Sequence, residues 1–414
     1  MKIVIIGAGI GGLLTALSLH EAGFTDITVY ERSAEIRGLG VGINLLPHAV
    51  RELTELGIVD EIAALGVEPT TLAYYNRHGQ PIWQEPRGTA AGYAWPQLSV
   101  HRGRLQLTLR DAVERRVGDI IRTGHRVVSV THGDAQDTAH FETATGEVEV
   151  TADIVIAADG IHSAVRAAHY PDEGAPPWNG LTLWRGVAYA PPFLDGSTMV
   201  MVGDGEQKFV AYPLGAVDPA TGLMPLNFIA EKRGVGSGQV DWNRAIDPEP
   251  IVELFADWRF DWIDIPGLIA SASEILEYPM VDRDALPQWT FDGTTLLGDA
   301  AHAMYPNGSN GGSQATLDAR TLAYHLATSP TPRAGLRAYE AERRTATAEL
   351  LAQTRQAGPE RVMILAAERA PGGFANITDV IPAAELEAVA TAYKRAAGFH
   401  PASLNERPSL SVPR

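Results

Sequence analysis

Near its N-terminus the chain reads Lys2-Ile3-Val4-Ile5-Ile6, then Gly7-Ala8-Gly9-Ile10-Gly11-Gly12, and then an apolar stretch of helical character to Ala22, closed by Gly23. The β-branched run suits a strand buried on both faces of a parallel sheet. In Gly7-x-Gly9-x-x-Gly12 the first Gly makes a tight turn, the second lets the backbone approach a diphosphate, and the third lets helix and strand pack closely. The helix N-terminus adds N–H groups and a positive dipole end. A second strand, Ile27 to Tyr30, leads to Glu31, 19 positions after Gly12, where a carboxylate can accept both hydroxyls of a ribose. The opening segment is therefore read as a β-α-β unit for a dinucleotide. FAD and NAD fit it equally.

Composition narrows what such a unit serves. The chain has 414 residues, 45% apolar and 20% charged, enough for two or three domains and a large buried ligand. It has no Cys, which excludes a disulfide framework, thiolate metal ligation and Cys nucleophiles, so redox chemistry falls to a bound cofactor. A formal charge of -17 argues against nucleic acid or an anionic membrane as partner. Glycines interrupt the opening apolar run and no small-residue cleavage site follows, so the protein is expected to be cytoplasmic. No His/Asp/Glu spacing suggests a metal, and no G-x-S-x-G elbow occurs.

Further along, Val50, Leu53 and Leu56 keep helical spacing to Gly57, and a helix from Arg104 carries Leu105, Leu109, Ala112 and Val113 on one face as far as Gly118. Ile154 to Ala157 is another buried-strand run, leading into Asp159-Gly160. After about residue 178 the pattern changes. Leu181 to Tyr189, Thr198 to Val202, Phe209 to Pro213 and Met224 to Glu231 read as antiparallel strands with no long helix between them. Thr294 to Leu297 returns to the buried type, followed by Gly298-Asp299 and a helix from about Ser313. Residues 336 to 357 and 378 to 397 read as further helices, and the polar, Pro-containing end from His400 is expected to be loosely ordered. The expected fold is α/β. A discontinuous Rossmann-like domain (1–72, 97–178, 278–355) receives an inserted domain on a mainly antiparallel sheet (73–96, 179–277), and C-terminal helices and a tail (356–414) complete it.

Gly298-Asp299 helps decide between the cofactors. A carboxylate at a strand end beside a Gly-rich loop does not suit a phosphate; it suits hydroxyls such as those of a ribityl chain. The N–H groups around Gly311 and Gly312 suit an electron-rich flavin edge. GAGIGG with Glu31, the DG pair in ADGIHSAVR and the GD pair in GDAAHAMYP, in this order, resemble the single-component FAD-dependent aromatic hydroxylases, the family of 4-hydroxybenzoate and salicylate hydroxylases. The resemblance spans nearly the whole chain, including WRG at Trp184 to Gly186 and YEAERR near residue 340. EIRGLGVGIN, SVHRGRLQ, FADW and YPMVDRDALPQW resemble most the phenazine hydroxylases within that family.

The resemblance implies that the Rossmann-like part is an FAD-binding domain and the inserted sheet a substrate domain. Gly7, Gly9, Gly12 and Glu31 would hold the ADP half of FAD, Asp299 the ribityl chain and Gly311 and Gly312 the flavin edge. Ile10, Gly11, Arg32, Gly42, Arg102 and Val127 would be further cofactor contacts, and Asp159 would serve both FAD and the nicotinamide cofactor. Pro306-Asn307-Gly308-Ser309-Asn310-Gly311-Gly312 departs from the common Gly-Gln-Gly flavin loop. Trp184, Arg185, Tyr212, Met304, Tyr305 and Pro306 are candidates to line the substrate pocket. Arg185 either meets a substrate carboxylate or pairs on the outer face of the sheet, and His302 is read as a structural residue.

By the same resemblance, NADH or NADPH reduces FAD, O2 adds to the flavin, and the resulting C4a-hydroperoxide hydroxylates an aromatic or N-heteroaromatic small molecule, a decarboxylation included where a carboxylate is displaced. The protein's share is binding, orientation and exclusion of water. A single complete GxGxxG implies transient docking of the nicotinamide cofactor. A flavin oxidase or dehydrogenase remains the alternative enzyme. A halogenase is excluded, because Trp258 and Trp262 lie four apart and miss the W-x-W-x-I-P spacing.

Overall fold

The computed structural model describes residues 1–38, 40–236, 245–396 and 400–412. Lys2–Ile6 forms the heart of a six-stranded sheet, with Ile154–Ala157 and Asp26–Tyr30 as its parallel neighbours. Thr294–Leu296 extends the sheet on one side, Ile121–Arg122 on the other, and Thr290–Phe291 folds back antiparallel at the edge. Ile3, Val4 and Ile5 are wholly buried, as are Ile154, Val155 and Ile156 beside them. The continuous apolar runs thus mark strands covered on both faces. Helices Ile10–Glu21, Arg102–Arg116 and Gly311–Thr328 supply cover. A three-stranded meander, Arg126–Thr131, Asp137–Thr143 and Gly146–Ala152, packs into the same core. It goes unnoticed in the sequence reading.

The second sheet has seven strands in the order Ile275–Val281, Trp178–Ala190, Met224–Arg233, Gln207–Pro213, Thr198–Gly203, Thr71–Tyr75, Pro81–Pro86. Its pairings are antiparallel except between Thr198–Gly203 and Thr71–Tyr75. The fold is thus α/β as expected, with a mainly antiparallel second sheet. Ile275–Val281 pairs in this sheet through Val281, three residues past the expected boundary at 278.

Both faces of this sheet are used. Side chains alternate along a strand, and Trp184, Ala188, Phe209 and Phe228 pack against the helices Glu249–Leu254 and Ile265–Ala270. Leu183, Val210, Tyr212, Ile229 and Met280 face the other way, toward Arg361–Arg369 and Ala383–Ala396. The helix Arg361–Arg369 lies in a stretch left unassigned from sequence.

The C-terminal expectation is corrected by the structure. Pro401–Glu406 is a helix, Arg407 forms an ion pair with the buried Glu52, and Arg51 Nη2 donates to the Arg407 carbonyl at 2.6 Å. Ser409 Oγ donates to Glu55 at 2.8 Å. The polar composition that suggested a loose tail is used to satisfy carboxylates on the helix Pro47–Glu55.

Candidate active site

At Gly7 φ is +104°, and an added Cβ would stand 2.4 Å from the Ala158 carbonyl oxygen; a Cβ at Gly12 would stand 1.9 Å from the Gly7 oxygen. Only Gly permits both approaches. At Gly9, which caps the first helix, an added Cβ would meet nothing within 4 Å. The turn is therefore tight beneath and open above, the cradle a diphosphate needs. Ile10 and Gly11 begin the helix, with Gly11 against Leu297.

Glu31 stands beside this turn. Its Oε2 accepts from the Ala8 N–H at 2.9 Å and its Oε1 from the Ser33 N–H at 2.9 Å. The Glu31 carbonyl accepts from the His125 N–H at 2.8 Å, which brings Val127, two residues on and itself buried, into the same corner. Arg32 is exposed. Gln106, unremarked in the sequence, donates from its Nε2 to the Ala8 carbonyl at 2.8 Å and braces the turn from the side. No motif could have revealed it, because the contact joins residues 98 apart.

Asp159 lies just past the strand Ile154–Ala157. Its Oδ2 accepts from the Ala164 N–H at 2.9 Å, and its Oδ1 has no hydrogen-bond partner among the described residues. Burial pushes its carboxyl up, opposed by hydrogen bonds from Ser163 and nearby amides. Gly298 has φ +61°, and Asp299 follows as the first residue of the short helix Asp299–His302, with its side chain exposed. Asp299 Oδ1 would be 4.0 Å from a Cβ placed on Gly311, so the two motifs meet. Gly312 packs on Ile43.

Arg102 opens its helix, and its N–H donates to the Val41 carbonyl at 2.8 Å. Crowding by protein lowers its guanidinium pKa, and the Asp299 carboxylate offsets this. It is nonetheless open to solvent on one side, as a side chain in a cleft would be. Gly42, on the short strand Gly42–Leu45 paired with Leu98–His101, is tied to the second sheet. Its N–H donates to Asn227 Oδ1 at 2.6 Å, and its carbonyl accepts from Arg185 Nη2 at 2.9 Å. A Cβ at Gly42 would stand 2.7 Å from the Asn227 Cβ.

Arg185 also lies 5.8 Å from the centroid of the Tyr278 ring, while its buried Nε has no partner among the described residues. Burial raises the pKa of Tyr212 to about 12, against the influence of Arg185. Its hydroxyl therefore keeps its proton at ordinary pH. Tyr278 is raised by burial in the same way. Asn227 and Tyr278 are further members of this constellation that the sequence reading lacks.

Trp184 is a correction. It sits on the opposite face, in the core under the helices, and its Nε1 donates to Glu277 Oε2 at 2.9 Å. Neighbours on a strand point to opposite faces, so Trp184 and Arg185 cannot share a pocket wall. Met304, Tyr305 and Pro306 lie on the loop between Asp299–His302 and Gly311–Thr328. Met304 packs toward Leu46 and Tyr93, Tyr305 toward the second sheet, and Pro306 is exposed. His302 is buried, with Nε2 2.5 Å from Asp318 Oδ2, which agrees with a structural role. Among the described residues no His/Asp/Glu group has the geometry for a metal, and no helix is long and apolar enough to cross a membrane.

A parallel sheet, a glycine turn facing open space and carboxylates at 31, 159 and 299 just past the ends of its strands define a dinucleotide-binding protein. The family described as FAD binding domain matches residues 1–354. A phenazine 1,6-dicarboxylic acid hydroxylase of Lysobacter antibioticus is 41% identical over 402 residues, covering 95% of this chain and 96% of its own length. A 6-hydroxynicotinate 3-monooxygenase of Bordetella bronchiseptica is 30% identical over 334 residues, covering 78% and 81%. Among solved structures, Klebsiella pneumoniae HpxO complexed with FAD and uric acid superposes with a TM-score of 0.71 at 24% identity, covering 96% and 92%, a likeness of fold. The chain belongs to the FAD-binding domain family, and it is an FAD-dependent aromatic monooxygenase.

Proposed function

We propose that the enzyme hydroxylates a small N-heteroaromatic carboxylate of the phenazine type, with NADH or NADPH as reductant and O2 as oxygen donor. In this reading Gly7, Gly9, Ile10, Gly11, Gly12, Glu31, Arg32 and Val127 hold the ADP half of FAD. Gly42, Arg102, Asp299, Gly311 and Gly312 hold the ribityl and ring half, and Asp159 faces both FAD and the docking nicotinamide. Bound FAD supplies hydride acceptance and activation of O2. The protein binds, orients and keeps water out.

The observation that carries the reading is Arg185. Its guanidinium is anchored to Gly42 at 2.9 Å, and its buried Nε has no partner among the described residues. A fixed cation with an unused donor, beside two aromatic rings, suits a flat anionic ring system. Tyr212, protonated throughout the physiological range, keeps an O–H to donate to the same ligand. The 41% identity to a phenazine dicarboxylate hydroxylase supports the same class of ring.

The test is a panel of phenazine and benzoate carboxylates scored for stimulated NAD(P)H oxidation, with product mass measured under ¹⁸O2. Labelled product from a phenazine carboxylate is expected. Stimulated oxidation that leaves the product unlabelled would refute hydroxylation and favour an oxidase or dehydrogenase.

A further inference from the structure

Away from the cleft, a cavity of about 560 Å³ lies between the second sheet and the C-terminal helices. Its volume is that of a small-molecule pocket, in the range of roughly 300–1,000 Å³. Apolar walls come from Met280 and Met363, and Tyr305 and Asn307 border it where it approaches the loop after Asp299–His302. Neither Arg102, Arg185, Tyr212 nor Asp299 lines it.

One wall is charged and dry. Lys208, Glu231 and Glu360 all line the cavity and are 6%, 3% and 7% exposed. Lys208 Nζ lies 3.0 Å from Glu231 Oε2 and is ion-paired with Glu360 as well. With all three ionised, one ammonium faces two carboxylates and the group carries a net charge of minus one out of water, an arrangement that strongly favours a compensating cation or proton. Burial raises Glu231, the proximity of Glu360 adds to this, and Lys208 and, after it, Arg185 oppose it. Arg185 does not line the cavity and is hydrogen-bonded to Gly42. The arginines that line it are paired, Arg233 with Glu206 at 3.2 Å, Arg355 with Asp282 at 2.7 Å and Arg361 with Glu368 at 3.9 Å. The wall also includes Ala357 with φ +68°, a conformation unfavourable for a residue with a side chain, which the surroundings must hold in place.

We infer that this cavity is a second ligand chamber, separate from the flavin cleft, and that it takes a small planar organic cation whose positive nitrogen lies against Glu231 and Glu360. A carboxylate at that wall would meet two carboxylates and is disfavoured. The chamber's selectivity is therefore opposite in sign to that of the Arg185 face.

Equilibrium dialysis on the FAD-loaded protein tests this without turnover, and so independently of the reaction proposed above. The probes are 9-aminoacridine, a tricyclic cation near neutral pH, and acridine-9-carboxylate, its anionic counterpart. Anion held by the Arg185 face persists in Ile364→Trp and is subtracted; at the chamber the wild type is expected to bind the cation at least about tenfold more tightly than the anion, a difference near 1.4 kcal/mol. Glu360→Gln leaves one carboxylate to one ammonium and is expected to remove that preference. Ile364→Trp, on the apolar wall, fills the space and is expected to abolish cation binding while the flavin absorbance stays unchanged. The inference is overturned if 9-aminoacridine does not bind below about 1 mM, if the share of acridine-9-carboxylate binding that Ile364→Trp abolishes is as tight as that of the cation, or if either folded variant binds 9-aminoacridine as the wild type does. Should Ile364→Trp not fold, Glu360→Gln decides alone.

Discussion

Asp318→Asn tests how the flavin cleft is braced from behind. Asp318 is wholly buried; its Oδ2 accepts from the Gly298 N–H at 3.1 Å and meets His302 Nε2 at 2.5 Å, and its Oδ1 accepts from Arg343 Nε at 2.7 Å. Burial works against the charge, but His302 and Arg343 overcome it and hold the carboxyl at about 2, from an ordinary 3.8. At about 1.4 kcal/mol per unit, the ionised form contributes about 2 kcal/mol to folding. Because the folded pKa is depressed, this is fully present above 3.8 and is lost as pH falls through about 2. Asn removes the charge, and whichever way it turns, its amide group faces a donor. Arg343 keeps only Gln314, at 2.5 Å, among its neutral partners there. Breaking a buried pair on one side costs about 3–5 kcal/mol. For 414 residues at an unfolding entropy of about 2.1 cal/mol/K per residue, this lowers Tm by roughly 3–6 °C. Calorimetry from pH 8 to pH 3 should show a difference that is flat above pH 5 and narrows only below about pH 4. A fall in Tm under about 1 °C, or a difference that disappears near pH 6, would refute the reasoning.

Two further outcomes follow from the same geometry. Glu31→Gln turns one acceptor of the Ala8 and Ser33 amides into a donor and removes the charge, so FAD affinity is expected to fall ten- to a hundredfold, about the worth of one charge-assisted hydrogen bond; unchanged recovery of flavin fluorescence on dilution would count against it. Deleting residues 401–414 leaves the buried Glu52 without Arg407 and is expected to lower Tm by roughly 3 °C. Equal melting curves for the deleted and full chains would show that the tail contributes nothing.

The parallel sheet was legible because its constraints are local. A strand covered on both faces has to be apolar throughout, and a backbone that passes 2.4 Å beneath an imagined Cβ has to be Gly at residue 7. Asp299 was legible for a related reason, since it follows a short buried strand and precedes a Gly-rich loop. The remainder of the cleft depends on contacts across long stretches of chain. Gly42 reaches Asn227 over 185 residues and Arg185 over 143, and a buried Asn on a strand advertises nothing. The meander Arg126–Thr131, Asp137–Thr143 and Gly146–Ala152 has largely exposed outer faces, so its apolar pattern is weak. The tail misled because polarity and Pro are equally compatible with disorder and with docking on buried carboxylates.

The face that Trp184 occupies follows from strand alternation alone, and it bears on how the second sheet works. Residues 184 and 185 are consecutive on a strand, so a reading that puts Arg185 in the cleft must put Trp184 under the helices, whatever the motif suggests. The same alternation runs through Gln207–Pro213, where Lys208, Val210 and Tyr212 share one face, and through Met224–Arg233, where Asn227, Ile229 and Glu231 do. One face therefore carries Tyr212 and Asn227 at the cleft end and Lys208 and Glu231 four residues away, with Val210 and Ile229 between them. Four residues of strand span about 13 Å, longer than a single aromatic ring. The Tyr212–Asn227 end and the Lys208 cluster are thus separated along the strands, while Arg185, opposite Ile229, stands between them and its charge also reaches Glu231.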